Sequence, residues 1–272
     1  MTRIAVLQMT AGIDPAANAR TIADAVAEAA AGGAEMLFTP EMSGLLDRDR
    51  ARAAVHIVPE AENPVLRAAR EAASQHGVWV ALGSIAVMGG AGRWANRSLL
   101  IGPAGALAAR YDKIHMFDVD LASGESWRES NAFEPGAEVV TVDDTPLGRL
   151  ALTVCYDIRF PALFEALGRR SCDAIAIPAA FTVPTGRAHW HLLQRARAVE
   201  ASAWVIAAAQ VGRHEDGRLT YGHSLVVDPW GEGVLDMGGE APGLGFAEID
   251  PARTAEVRRQ LPSLANKRDI PN

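Results

Sequence analysis

At 272 residues, 49% of them hydrophobic and 22% charged, the chain has an ordinary globular composition, which excludes a disordered or fibrous protein. Its formal net charge is −7 and no Lys/Arg cluster overrides that locally, so nucleic acid is not an expected partner. No run approaches the roughly 18 consecutive apolar residues of a membrane helix, and a soluble protein with a substantial core is expected.

Strand and helix signals alternate along the chain. Arg3 to Met9 is short, apolar and β-branched, the pattern of a buried strand. Its apolar stretch, Ile4-Ala5-Val6-Leu7, is too short for a signal peptide. Asp14-Pro15 reads as the N-cap and first residue of an alanine-rich helix that runs to Ala31 and stops at Gly32-Gly33. Glu35 to Phe38 is a second strand, ending in Thr39-Pro40-Glu41. Asn63-Pro64 repeats the cap signature and opens a helix that Gly77 closes. Strands follow over Val78 to Val87, over Ser98 to Gly102, and from the Pro103-Ala104-Gly105 turn to about Tyr111. From Asp112 to Gly136 periodicity is lost for about 25 residues, longer than a passive connection. Beyond it the pattern gives strands at Glu138 to Val142 and Arg149 to Cys155, a helix at Phe160 to Arg170, and a strand at Asp173 to Pro178. A helix at Arg187 to Ala203 leads to a strand at Trp204 to Gln210. Gly222 to Asp228 and Gly233 to Asp236 form a hairpin about Pro229-Trp230-Gly231. The strand Gly245 to Ile249 and the helix Pro251 to Gln260 end the pattern.

Helices this regular predict an α/β fold with strands sandwiched between helical layers. No linker or composition break divides the chain, so a single domain is expected over residues 1–262, followed by a polar tail at 263–272. Arg3-to-Glu41 and Arg149-to-Ala180 both run strand, helix, strand, a weak internal similarity.

Several familiar chemistries lack their motifs. There is no GxxxxGK[ST] and no HExxH, and a GxGxxG begun by Gly231 and Gly233 meets Asp236 at its third position. Gly222-His223-Ser224 starts like a nucleophile elbow, but Val226 holds the place of the second glycine. His189 and His191, two apart on a predicted helix, do not share a face, so no metal site is expected; one should be buried and the other exposed. The two cysteines, Cys155 and Cys172, make neither a disulfide framework nor a CxxC pair, which suits a reducing cytoplasm. Cys172, where a helix turns into a strand, reads as structural. Trp190 and Trp204 read as core or subunit interface.

Three ionisable residues stand at or just beyond the ends of apolar strands: Glu41, Lys113 and Cys155. In α/β sheets ligands gather at such ends. A thiol is a poor nucleophile until a base takes its proton, a carboxylate in a dry pocket has raised basicity and can take it, and an ammonium beside them can hold an oxyanion. Singly, each has a duller reading: a small hydrophobe, a solvated turn residue, an exposed loop lysine.

Their flanks carry a family resemblance. Thr39-Pro40-Glu41, Tyr111-Asp112-Lys113-Ile114-His115 and Cys155-Tyr156-Asp157-Ile158-Arg159-Phe160-Pro161 resemble the three signature blocks of the nitrilase (carbon–nitrogen hydrolase) superfamily. The likeness spans about Arg3 to Pro262. Arg195-Ala196-Arg197-Ala198-Val199-Glu200 and Tyr221-Gly222-His223-Ser224 resemble its Nit-type amidases, the deaminated-glutathione amidase and omega-amidase branch.

The resemblance implies a four-layer α-β-β-α sandwich that dimerises into an eight-layer assembly, as a homodimer or higher homo-oligomer. It implies a cofactor-free, metal-free cysteine amidohydrolase, working through a thioester on a small carboxylate-bearing amide such as deaminated glutathione or an omega-amide. Cys155 would be the nucleophile, Glu41 the base and Lys113 the oxyanion stabiliser. A second glutamate belongs to the loop after the lysine; Glu129, ahead of Pro135-Gly136, fits better than Glu125. Arg159, Tyr156, Phe181 and Thr185 would face the substrate. A nitrilase, an N-acyltransferase and a catalytically silent binding subunit are the alternatives.

Overall fold

In a computed structural model that describes residues 1–122, 124 and 126–268, the first half of the chain builds one sheet and the second half another. The first half runs β1 (Thr2–Gln8), α1 (Pro15–Ala31), β2 (Met36–Phe38), α2 (Arg50–Ala54), α3 (Pro64–His76), β3 (Trp79–Met88), β4 (Trp94–Ile101) and β5 (Leu107–Asp112). A small hairpin, β6 (Asp118–Asp120) and β7 (Ser126–Arg128), leads into the second half. That half runs β8 (Val140–Thr145), β9 (Gly148–Leu152), α4 (Pro161–Arg169), β10 (Ala174–Ala176), α5 (Val183–Ala201), β11 (Trp204–Ala207), β12 (Val211–Arg213), β13 (Leu219–Tyr221), β14 (Leu225–Val227) and β15 (Gly233–Asp236). Then β16 (Gly243–Ile249) returns to the first sheet, and α6 (Pro251–Gln260) follows.

The sheets have six strands each, in the orders β16-β1-β2-β3-β4-β5 and β15-β14-β11-β10-β9-β8. In the first, β1, β2 and β3 are parallel, joined through α1 and α3. In the second, β9, β10 and β11 are parallel, joined through α4 and α5. The internal similarity is therefore a repeated β-α-β-α-β unit, one copy per sheet.

Strand alternation sorts the core into layers. In β1, Ile4 and Val6 pack in a cluster with the second sheet, whereas Ala5 and Leu7 pack with α1 and α3. Met36 and Phe38 of β2 repeat the first choice, and Leu37 the second. Leu163, Phe164 and Leu167 of α4 and Ala198 and Ala201 of α5 cover the second sheet. Two sheets face to face with helices outside them cover both faces of each sheet. Among the described residues no helix is long and apolar enough to cross a membrane.

Three expectations shift. The stretch from Asp112 to Gly136 is not without structure: it carries the β6–β7 pair and a 3-10 turn at Glu129–Asn131. The helix placed at Arg187 begins at Val183, with Pro184 in its first turn, where a missing N–H costs nothing. The strand drawn through Cys155 ends at Leu152.

Candidate active site

Glu41 and Cys155 each lie three residues past a strand, β2 and β9, and Lys113 directly follows β5. The turn that carries Glu41 lies tightly over Gly83 of β3. A Cβ there would come within 2.0 Å of Thr39 O and 2.5 Å of Pro40 O, so only glycine permits the approach. Gln210 Nε2, in the segment between β11 and β12, donates to Glu41 O at 3.0 Å and fixes the same turn.

Past β9, Val154 is extended and Cys155 takes φ +48°, the left-handed region that a side chain other than glycine's rarely adopts. Its N–H donates to Pro178 O at 2.8 Å. The backbone then enters a 3-10 turn, Cys155–Arg159. At this strained corner Cys155 lines the cavity.

The fold brings the three residues together in one cavity of about 180 Å³, many times the space of one water. Lys113 Nζ donates to Glu41 Oε1 at 2.9 Å and to Glu129 Oε2 at 2.8 Å. Asn96 Nδ2, from β4, bridges the two carboxylates, at 3.0 Å from Glu41 Oε1 and 3.1 Å from Glu129 Oε1. Phe117 N–H adds a bond to Glu129 Oε2 at 2.7 Å. The other Glu41 oxygen accepts the Ala180 N–H at 2.9 Å. The Cys155 thiol adjoins the Glu41 carboxylate and the Ala180 N–H closely enough for both to act on it. Glu129 is thus the glutamate at the lysine; Glu125 lies outside the described residues.

The charges are set by this packing. Burial works to raise the Glu41 carboxyl, but the Lys113 ammonium, the adjoining Cys155 thiol and the bonds from Lys113 and Asn96 outweigh it and hold the carboxyl below its ordinary value. This corrects the expectation that a dry pocket alone would raise its basicity. Burial works to lower Lys113, yet Glu129 and Glu41 hold it well above its usual range. Burial first, and Glu41 next, push the Cys155 thiol well up. At rest the group is carboxylate, ammonium and thiol. Such a set can pass a proton from sulfur to carboxylate while an ammonium waits for developing negative charge.

Asp157, fully buried, joins the lysine segment to the cysteine turn. Its Oδ2 accepts from Tyr111 Oη at 2.6 Å and Val154 N–H at 2.9 Å, and its Oδ1 accepts from His115 N–H at 3.0 Å and lies 2.7 Å from His115 Nδ1. Sequence reasoning singled out neither Asp157 nor Asn96 for a role. Asn96 lies ahead of the strand expected at Ser98 and stands beside polar Arg97 and Ser98 in β4, so nothing in its local sequence sets it apart.

Arg159, Tyr156, Phe181 and Thr185 all line the cavity. The Arg159 guanidinium lies 5.3 Å from the Phe181 ring centroid and 5.9 Å from that of Tyr156. Thr185 Oγ1 is 2.8 Å from Thr182 Oγ1 in the first turn of α5. Cys172 is buried, its thiol pushed up to about 11 mainly by burial. Trp190 and Trp204 are buried too, their indoles donating to His223 O and Asp250 O. His189 and His191 do diverge, toward Arg159 and Asp236 respectively, but neither is buried.

Residues 3–259 match the model of the carbon–nitrogen hydrolase family. A deaminated glutathione amidase of Yersinia enterocolitica is 40% identical over 270 residues, 98% of this chain and 93% of that protein. The crystal structure of the C. elegans NitFhit protein superimposes with a TM-score of 0.90 at 35% identity, over 98% of this chain and 65% of that one. An amidase from Nesterenkonia sp. AN1, with acrylamide added at its active-site cysteine, matches with a TM-score of 0.79 at 27% identity, over 96% and 98% of the two chains.

Proposed function

We propose that this chain, which belongs to the carbon–nitrogen hydrolase family and is a hydrolase of C–N bonds other than peptide bonds, is a cofactor-free amidase that works through a thioester on Cys155. The observation that carries the reading is the buried contact of Lys113 with Glu41 and Glu129 beside the Cys155 thiol.

Because the thiol is protonated at rest, sulfur attacks the amide carbonyl as Glu41 takes its proton. The new C–S bond leaves an oxyanion, held by the Lys113 ammonium and the Tyr156 N–H. Glu41 returns its proton to the nitrogen, the C–N bond breaks, and an amine or ammonia departs. Water then attacks the thioester while Glu41 accepts a proton. Collapse of that adduct frees the carboxylic acid and, on reprotonation from Glu41, the thiol.

Arg159 is the group we assign to a substrate carboxylate, through the two parallel bonds a guanidinium can make. Tyr156, Phe181 and Thr185 shape the same wall. Deaminated glutathione and omega-amides of dicarboxylic acids are the substrates this supports, consistent with the named activity of the Yersinia relative. The same proposal takes residues 1–262 as one catalytic domain in a reducing cytoplasm, and a homodimer of eight layers. Leu192 and Val199 on α5 and Trp230 nearby are exposed apolar groups that a second copy would cover.

The decisive experiment is a screen of these amides with ammonia or free amine as readout, alongside intact-mass detection of the acylated Cys155 peptide. Cys155→Ala and Cys155→Ser should both be inert, since an alcohol is far less acidic than a thiol. Full activity in Cys155→Ala overturns the reading. Nitrile turnover, or acyl transfer to added amine outpacing release to water, would replace the amidase label while keeping the nucleophile. No turnover and no adduct would mean a silent binding subunit.

A further inference from the structure

Where α5 meets the edge of the second sheet, three side chains from separate parts of the chain converge. His191 is on α5, His223 lies between β13 and β14, and Asp236 ends β15. His191 Nε2 is 2.9 Å from Asp236 Oδ2, and His223 Nδ1 is 2.9 Å from Asp236 Oδ1. The two imidazole rings stand edge-on at 4.9 Å between centroids, and Tyr221 stacks on His223 at 4.5 Å. The Gly238 N–H also donates to Asp236 Oδ1 at 2.9 Å and steadies the carboxylate. Among the described residues these three are not part of the cavity lining at Cys155, and the chemistry proposed above uses none of them. His191 cannot share an ion with His189, two positions back on the same helix; its partners come from the sheet instead.

The donor set is that of a transition-metal site. One nitrogen from each imidazole and one Asp236 oxygen lie within 4.8 Å of one another. Ligands about 2.0–2.2 Å from an ion stand roughly 3 Å apart at right angles and somewhat wider at tetrahedral ones, so both 2.9 Å contacts already match the edges of a coordination shell. Imidazole suits zinc, copper, nickel and iron, whereas calcium and magnesium take oxygen ligands. A carboxylate beside one imidazole is an ordinary ion pair. Here one carboxylate is shared by two, and among the described residues no arginine or lysine competes for it. Asp143 and Asp228, by contrast, are held by Arg149 and Arg253 at 2.6 and 2.9 Å. All three side chains reach solvent, so an ion can enter without opening the fold.

We propose that His191, His223 and Asp236 form a surface site for one divalent transition metal, with zinc as the ion that these ligands hold without redox chemistry. Water completes the shell around the three protein ligands. The ion ties α5 to β15, the edge strand of the second sheet, and so staples a helical layer to the sheet it covers. This site stands or falls independently of the amidase reading.

Zinc titration of the tag-free protein, first stripped with a chelator, tests the site by calorimetry and by melting. One zinc per chain should bind in the micromolar range or tighter, and a hundred-fold excess over Kd should raise Tm by about 5 °C. His191→Ala and Asp236→Asn should each weaken binding by at least 10- to 100-fold, the loss that even outer-shell partners of a metal cause, and should abolish the gain in Tm. Because that gain is measured against the same variant without zinc, loss of the His–Asp contacts themselves does not blur it. Cys155→Ala should bind zinc as the wild type does, which separates this site from capture by the thiol. Binding no tighter than millimolar, binding that disappears in Cys155→Ala, or a gain in Tm that survives His191→Ala overturns the site.

Discussion

Glu129→Gln separates the charge of this residue from its shape. Glu129 Oε2 accepts from Lys113 at 2.8 Å and Phe117 N–H at 2.7 Å, and Oε1 accepts from Asn96 at 3.1 Å. A glutamine that keeps its carbonyl toward Lys113 and Phe117 turns its NH₂ against the Asn96 NH₂, donor facing donor. Asn96 can relieve this by turning its amide, since its Oδ1 is buried and unpartnered among the described residues, but Glu41 then loses the Asn96 donor at 3.0 Å. One bond to a charged group is therefore lost at either carboxylate, worth about 1.5–3 kcal/mol, or roughly 10- to 150-fold in kcat/KM. Burial works to lower Lys113, and the Glu129 charge is the strongest influence opposing it. Without that charge, Lys113 gives up its proton at lower pH. The assay is kcat/KM for an omega-amide across pH, with the alkaline limb expected to move down. A variant within about 2-fold of wild type and with an unmoved alkaline limb would refute this account of how Lys113 is held.

Two further outcomes follow from the cysteine corner. Since burial and Glu41 together push the Cys155 thiol well up, iodoacetamide alkylation should keep accelerating from pH 7 through pH 9 as thiolate accumulates; a plateau already reached below about pH 8 would contradict the resting thiol. Cys155 also holds φ +48°, a conformation that strains any residue with a Cβ by about 1 kcal/mol. Cys155→Gly should thus melt about 2 °C above Cys155→Ala, and an alanine variant of equal or greater stability would show that the corner stores no strain.

Much of the frame was legible because it depends on local signals. The caps at Asp14 and Asn63 each accept from the N–H groups they were expected to satisfy, and glycine after His76 adopts the left-handed cap. The clustering of Glu41, Lys113 and Cys155 was legible only through the sequences flanking them, since spacing alone says nothing about distance in space. What stayed hidden is long-range. Asn96 acquires meaning from Glu41 and Glu129, 55 and 33 positions away, and Asp157 from Tyr111 and His115 across two sheets. The β12–β13 pair escaped because its strands are three residues each, too short for a period to register. The depressed basicity of Glu41 depends on a balance between burial and Lys113 that composition cannot weigh.

That balance clarifies the proposed chemistry. In a water-poor cavity, creating charge is far more costly than moving it. At rest the described cluster holds two carboxylates and one ammonium around a neutral thiol. When sulfur attacks, Glu41 becomes neutral as it takes the proton, and the substrate oxygen becomes negative. The number of charges is unchanged; one has moved from a carboxylate in contact with Lys113 to an oxyanion in contact with Lys113. A resting thiolate–imidazolium style ion pair would instead have to be built and held in the dry site before substrate arrived. Here the lysine that weakens the base at rest stabilises the product of the base's action, and Glu129, bonded to it at 2.8 Å, keeps that lysine in place.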